Sequence, residues 1–350
     1  MIEASSTKAK ENKPANTITA KPRLGFLGVG WIGRNRMEAL VNGDLAEVAG
    51  ILEPGTENCE AALAVAPNAQ TFTSYDEMLA SDVDGIVIAS PSALHAQQSI
   101  AALNKGKAVF CQKPLGRNAA ETAAVVAAAR ENNLLLGIDL CYRYTCFRQL
   151  YDIIQSGELG HIYSAELVFH NAWGPDKEWF YNPKLSGGGC VVDLGIHLMD
   201  LVHWSLNDPE VVSVNSNLFS KGQPLANTNE QVEDYASALI KLKQQGGGET
   251  SLQLTCSWNL PAGQEADIQA NFYGTNGGVA FRNMDGSFYD FKALRFNRTQ
   301  TEVLFQGPDD WGGRPISDWA RRLAAGDKFN AKSETIVAVA KTLDCIYGRI

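Results

Sequence analysis

Residues 23–33, RLGFLGVGWIG, decide how the first part of the chain folds. Arg23 to Leu27 form a short apolar strand pattern, Gly28-Val29-Gly30-Trp31-Ile32-Gly33 follows at once, and residues 34–41 read as a helix. A G-x-G-x-x-G that closes a strand and opens a helix places backbone N–H groups where a dinucleotide pyrophosphate can rest. Gly28 makes the tight turn, Gly30 lets backbone approach the pyrophosphate, and Gly33 lets the helix pack on the strand, with Trp31 and Ile32 counted in the same cofactor-binding loop. A second strand over residues 47–52 delivers Glu53, twenty positions after Gly33, where such a fold sets the acid that binds a ribose diol. Glu53 would repel a 2′-phosphate and so favours NAD over NADP, while Arg34 and Arg36 stand near enough in sequence to leave NADP as the alternative.

Working outward, strands and helices continue to alternate. A helix is expected over residues 75–80, a buried strand over 85–89, a loop at Ser90-Pro91-Ser92 and a helix over 95–104. A strand over 108–110 then ends in Cys111-Gln112-Lys113-Pro114, and a helix over 119–132 leads to a strand over 134–138. This alternation implies a doubly wound parallel sheet, whose ligands lie beyond the carboxyl ends of its strands. Ser90 and Lys113 stand at two such ends. A lysine there is usually a solvated charge, but Pro114 fixes the backbone beside it.

After Leu140 the pattern changes. A helix over 147–156 precedes strand-like runs over 162–170, 211–218, 235–242, 250–258, 267–273 and 278–282, separated by turn signals such as Asn276-Gly277, and helices over 316–325 and 333–347 close the chain. That is an α+β domain with an open, mainly antiparallel sheet. The expected division is a disordered tail over 1–21, a Rossmann domain over 22–140 and a second domain over 141–350. The segment 302–308, EVLFQGP, reads as strand running into turn.

Within the second domain, residues 187–204, GGGCVVDLGIHLMDLVHW, form a helix apolar nearly all round that nevertheless carries Asp193 and His197, four apart, with Asp200 continuing the stripe. A buried carboxylate and imidazole are costly unless paired or facing a polar cavity, so they are either a structural pair or a catalytic one. The triglycine lets another molecule approach the helix start. Asn171, Trp173, Trp179 and Tyr181 gather aromatic and polar groups ahead of it and suit a sugar ring, though lid or core roles account for them equally; Arg143 joins them as a candidate substrate residue. No third ligand stands at a known metal spacing near His197, so no metal is expected.

Composition narrows the classes. A net charge of -9 and a pI near 5.2 argue against a nucleic-acid partner. Seven cysteines without C-x-x-C spacing suit reduced thiols in a cytoplasm. Residues 1–21 lack the features of a signal or anchor, and no apolar run is read as a membrane span. An open sheet needs cover on one face, which favours a homodimer or homotetramer.

The glycine motif after the first strand, Lys113-Pro114 after the 108–110 strand, and Asp193-x-x-x-His197 after the triglycine together resemble the Gfo/Idh/MocA family, which includes glucose–fructose oxidoreductases and inositol dehydrogenases, from about Arg23 to the C-terminus. The resemblance implies a Rossmann domain paired with an open-sheet domain, and NAD(P)-dependent oxidation or reduction of sugars, polyols or cyclitols. It places the family's E-K-P lysine on Lys113, its T/S-P-x-x-x-H loop on Ser90, Pro91 and His95, and its D-x-x-x-H pair on Asp193 and His197. Gln112 departs from the family's glutamate: it can hydrogen-bond a nicotinamide ribose but lacks a charge to balance Lys113. On this reading His197 is the general acid/base, Asp193 orients it or holds a neighbouring hydroxyl, and Lys113 stabilises alkoxide charge. The competing readings are a glycoside-cleaving relative that retains NAD and acts by transient oxidation, and a dinucleotide-sensing protein without turnover.

Overall fold

Six parallel strands, β1 (Arg23–Leu27), β2 (Glu47–Leu52), β3 (Gln70–Thr71), β4 (Gly85–Ile88), β5 (Ala108–Cys111) and β6 (Leu136–Ile138), make the first sheet in the order β3-β2-β1-β4-β5-β6. The structure, a computed structural model, describes residues 21–350; the tail expected over 1–21 lies outside the described residues except for Lys21. Between the strands run α1 (Trp31–Asn42), α2 (Thr56–Val65), α3 (Tyr75–Ala80), α4 (Ser92–Asn104) and α5 (Ala119–Glu131). β4 and β5, GIVI and AVFC, are buried at every position, as strands covered by helices on both faces must be. The strand order reverses between β1 and β4, which opens a crevice at their carboxyl ends, where Gly28 and Ser90 stand.

The second sheet has nine strands: β7 (Ile162–Asn171), β8 (Glu210–Ser220), β9 (Gln223–Pro224), β10 (Tyr235–Lys243), β11 (Glu249–Ser257), β12 (Ala266–Gly274), β13 (Gly278–Asn283), β14 (Asp290–Asn297) and β15 (Gln300–Pro308). Their order is β15-β14-β13-β12-β7-β11-β10-β8-β9, with every pairing antiparallel except β7 to β11. β10 shows why the sheet is one-sided: Ala236, Ala238, Ile240 and Leu242 are buried while Leu239, Lys241 and Lys243 face outward. The buried face meets α6 (Phe147–Ser156), α8 (Ile196–Ser205) and α10 (Thr335–Ile346), with the short α7 (Pro183–Ser186) ahead of α8. Phe147, Phe272, Phe281 and Phe291 fill that layer, and full burial of each contributes about 1.5–3 kcal/mol.

Two features depart from the expected division. α9 (Arg314–Ala324) returns to the first sheet, where Ile316, Trp319 and Ala320 join the core built on Phe26, Phe110 and Leu135. α10 in turn packs on both α5 and α8. The break at residue 140 is therefore a change of sheet and not a cut through the core. All seven cysteines are free, and five of them are buried. Among the described residues the segment Pro183–Ser205 has the length and hydropathy of a membrane span, but 83% of its apolar window is buried, as a core helix requires.

Candidate active site

Both domains face a cleft of about 1200 Å³ that begins at the glycine loop and ends against α8. Gly28 has φ +85°, and a Cβ there would lie 2.7 Å from the Ala89 carbonyl oxygen; a Cβ on Gly33 would lie 2.3 Å from the Gly28 carbonyl oxygen. These two positions accept only glycine, for the turn and for helix–strand contact respectively. Gly30 differs: a Cβ there would point into the cleft, where, its chain neighbours apart, Lys177 Nζ at 3.5 Å is the one heavy atom of the described residues within 4 Å. That open cradle at the uncapped start of α1 fits a pyrophosphate, and Gly28, Gly30, Trp31, Ile32, Glu53, Ser90 and Pro91 all line the same cleft. The Glu53 carboxylate accepts from Val29 N (2.9 Å) and Gly55 N (2.9 Å), one bond per oxygen, which fixes it at the end of β2 with lone pairs to spare.

At the other end, Lys113 Nζ donates to the Asp193 carbonyl (2.7 Å) and to Asp193 Oδ1 (2.6 Å), while Trp258 Nε1 donates to Asp193 Oδ2 (3.0 Å). Lys113 thus reaches from the first domain to the second and keeps one N–H free. The expected pairing of Asp193 with His197 is not what forms. Val191–Gly195 is a π-helical turn, and its wider spacing takes Asp193 out of the α-helical stripe and turns its carboxylate to Lys113. The triglycine is packed tightly against the chain itself, for Cβ atoms on Gly187, Gly188 and Gly189 would lie 2.6, 2.1 and 1.8 Å from Arg117 O, Tyr347 Oη and Glu233 O, while Gly188 still lines the cleft. Buried Glu233 accepts from Gly189 N, from Val191 N (2.9 Å) and from the Tyr347 hydroxyl (2.7 Å), so it caps the turn; burial raises its pKa against the pull of those bonds.

His197 lines the cleft, and its ring lies 5.3 Å from that of Tyr142. Its Nδ1 is buried without a hydrogen-bond partner, whereas Nε2 is not sealed. Burial, reinforced by the positive charges of Lys113 and Arg36, holds its pKa well below 6.5, so the ring is neutral at pH 7. His95 does something else. Its Nδ1 and Nε2 lie 2.7 Å from the Pro114 and Ser90 carbonyl oxygens, so the ring sits between the loops that carry Ser90 and Lys113 and donates to one of those carbonyls when neutral and to both when protonated. Burial lowers its pKa, opposed by those two carbonyls. Ser90 Oγ donates to Gln98 Oε1 at 2.5 Å.

Gln112 meets a carboxylate that the sequence did not associate with it. Its Nε2 donates to Asp139 Oδ2, which also accepts from Arg36 Nε at 2.6 Å, and all three residues line the cleft. Arg36, 2% exposed and 5.5 Å from the centre of the Trp311 ring, is thereby committed to a buried pair, and Arg34 leans on Glu38 at 3.7 Å.

Several expected substrate residues stand elsewhere. Arg143 forms a two-pronged ion pair with Asp200 (2.7 Å from Nε) over the Trp204 ring, and neither lines the cleft, because Asp200 lies on the helix face turned toward Arg143. Burial raises the Asp200 pKa against that pairing. Asn171 Oδ1 accepts from Trp173 N (2.8 Å), Trp173 is 63% exposed, and the Tyr181 hydroxyl donates to the Pro175 carbonyl (3.0 Å); all three lie off the cleft, leaving Trp179 of that group on its wall, stacked on Phe180 at 3.8 Å. Tyr142, Phe180, Phe288 and Trp311 complete the wall and carry no motif that marks them in the sequence.

Residues 23–140 match the model of the oxidoreductase family, NAD-binding Rossmann fold, and residues 147–280 that of the GFO/IDH/MocA C-terminal domain. The chain belongs to the GFO/IDH/MocA oxidoreductase family. It is 29% identical over 196 residues to 1,5-anhydro-D-fructose reductase of Ensifer adhaerens, a match covering 55% of this chain and 59% of that relative, so the chain spans about six-tenths of that relative's length. In structure it resembles levoglucosan dehydrogenase in complex with NADH and levoglucosan (TM-score 0.79, 20% identity, 94% of this chain and 96% of that one). It also resembles a 3-ketoreductase from Actinomadura kijaniata in complex with NADP and TDP-benzene (TM-score 0.76, 22% identity, 94% and 98%). These likenesses show the fold.

Proposed function

We propose that the chain is an NAD(H)-dependent oxidoreductase that interconverts a secondary hydroxyl and a ketone on a sugar, sugar derivative or cyclitol. The observation that carries this reading is the single cleft in which the open glycine cradle of the first domain faces Lys113, Asp193 and His197. When bound, the nicotinamide dinucleotide would supply the hydride acceptor or donor. The chain's own part is proton and charge management. His197, neutral and open at Nε2, takes the hydroxyl proton in oxidation and returns it in reduction. Lys113, held by both oxygens of Asp193 that it contacts, turns its free N–H toward developing alkoxide charge. Asp193 is therefore a positioning residue for Lys113, itself steadied by Trp258.

NAD preference over NADP rests on Glu53 at the ribose position and on Arg36 being spent on Asp139. The free thiols support a reducing, cytoplasmic setting, and the exposed apolar side chains Tyr163, Val212, Leu239 and Val303 of the second sheet support a homodimer or homotetramer. The test is to purify the protein, release and identify any bound nucleotide, and screen sugars and cyclitols for NADH formation. A protein that binds no nicotinamide dinucleotide, or reduces none with any polyol, refutes the reading.

A further inference from the structure

The segment between β7 and α7 leaves the second sheet and crosses to the first domain, where Asp176, Lys177, Trp179 and Phe180 line the cleft shared with Gly28 and Gly30. Lys177 ends directly over the glycine loop, its Nζ lying 3.5 Å from the point where a Gly30 Cβ would stand, with no other heavy atom of the described residues beyond the chain neighbours within 4 Å. The start of α1 beneath it has no side-chain cap and no acidic residue in its first turn. Two sources of positive potential, a lysine ammonium and a helix N-terminus, therefore face each other across the glycine loop. Lysine ion pairs among the described residues belong to Lys21, Lys113 and Lys241, so Lys177 is not spent on a carboxylate. Glu53 is held by the Val29 and Gly55 amides, and Asp176, the acidic neighbour on the cleft wall, is exposed.

We infer that Lys177 clamps the cofactor diphosphate from the second domain, closing over the phosphates that the glycine loop cradles from below. This rests on the dinucleotide reading above and extends it to a residue outside the Rossmann domain. A diphosphate carries two charges across a span that one helix start does not cover alone, and an ammonium on a flexible stem supplies the second contact.

The test is equilibrium titration of the full-length protein, with Lys177 as wild type, Gln or Arg, against NADH, ADP-ribose and adenosine. Lys177→Gln is expected to raise the Kd for NADH and for ADP-ribose about tenfold while leaving adenosine unchanged, because only the first two carry the diphosphate. Lys177→Arg should stay within about threefold of wild type, and the melting temperature of both variants should match wild type because Lys177 is exposed. Added salt should weaken ADP-ribose binding to wild type more than to Lys177→Gln. Unchanged ADP-ribose affinity in Lys177→Gln, or an equal loss for adenosine, overturns the clamp while leaving the dinucleotide reading standing. Wild-type protein that binds neither NADH nor ADP-ribose overturns that reading and the clamp together.

Discussion

His197→Leu separates a catalytic histidine from a structural one more sharply than any other substitution in the cleft. A core histidine kept for stability would be hydrogen-bonded, and its loss would cost stability. His197 makes no side-chain hydrogen bond among the described residues, and its Nδ1 is buried without a partner there. An unsatisfied buried polar group costs about 1–3 kcal/mol, so replacing the ring with an apolar side chain of similar size removes that cost. Because Nε2 still reaches the cleft, the lower end of the range applies, a gain of about 1 kcal/mol, which raises the melting temperature by about 2 °C in a chain of this size. Loss of a general base should at the same time lower hydride transfer by about 10²- to 10⁴-fold. Thermal melts and single-turnover NADH formation with a saturating polyol, normalised to folded protein, read the two effects separately. A variant that melts lower than wild type yet turns over normally refutes the reasoning and leaves Lys113 or water as the proton acceptor.

Other perturbations test neighbouring parts of the site. In wild type the acid limb of the oxidation rate should fall below pH 6.5, since protonation of His197 is opposed by burial and by Lys113 and Arg36; a midpoint at or above 6.5 in the pH–rate profile contradicts that. Stability should follow the same sign: His95 and His197 have lowered folded-state pKa values, so their contribution is complete above the unfolded value near 6.5 and is lost as pH falls below it, which denaturant melts at successive pH values would show. Lys113→Ala should cut turnover strongly and, because Lys113 and Asp193 are only 18% and 19% exposed, should also cost about 1–3 kcal/mol; near-native turnover in folded protein would remove Lys113 from the mechanism. Glu53→Gln should weaken NAD binding and narrow the margin over NADP, and titrations in which wild type already prefers NADP would show that Glu53 does not govern the adenosine end.

Legibility of the fold followed the physics of each segment. β1, β2, α3 and α6 have the bounds expected of them, because each sets a clear apolar period between a glycine, proline, serine or acidic boundary. α2 and the two-residue β3 were not read: TENCEAALAV spreads small residues round the helix and leaves only Ala62 buried, so no face stands out. β15 is only partly legible, since this outermost strand keeps both faces partly solvated and loses the alternation that marks a one-sided strand, and β14 is not legible although Phe291, Ala293 and Leu294 are buried. In the site, the lysine, the aspartate and the histidine were legible as residue types in an environment that resists charge. Their partners were not. Arg36 and Asp139 are 103 residues apart, and Lys113 and Asp193 are 80 apart; only the tertiary fold brings them together. A helix period of four also presumes an α-helix, and the π-helical turn at Val191–Gly195 defeats that presumption at the position where Asp193 must choose its partner.

The capping of that turn by Glu233 and Tyr347 ties the reacting groups to the far end of the polypeptide. Arg349 adds a bond to the Gly187 carbonyl at 2.7 Å, and α10 bridges α5 of the nucleotide-binding half and α8 of the other. Recombination among relatives is constrained accordingly. A hybrid joined at residue 140 would exchange a sheet but would tear α9 and α10 from the surfaces they evolved against, whereas one that carries residues 314–350 along with the nucleotide-binding half keeps α5, α9 and α10 together but must then match α8, Glu233 and the triglycine of its new partner. Modular exchange of the second domain, attractive on paper for a two-domain oxidoreductase, therefore depends less on the linker than on residues 335–350 being compatible with both halves.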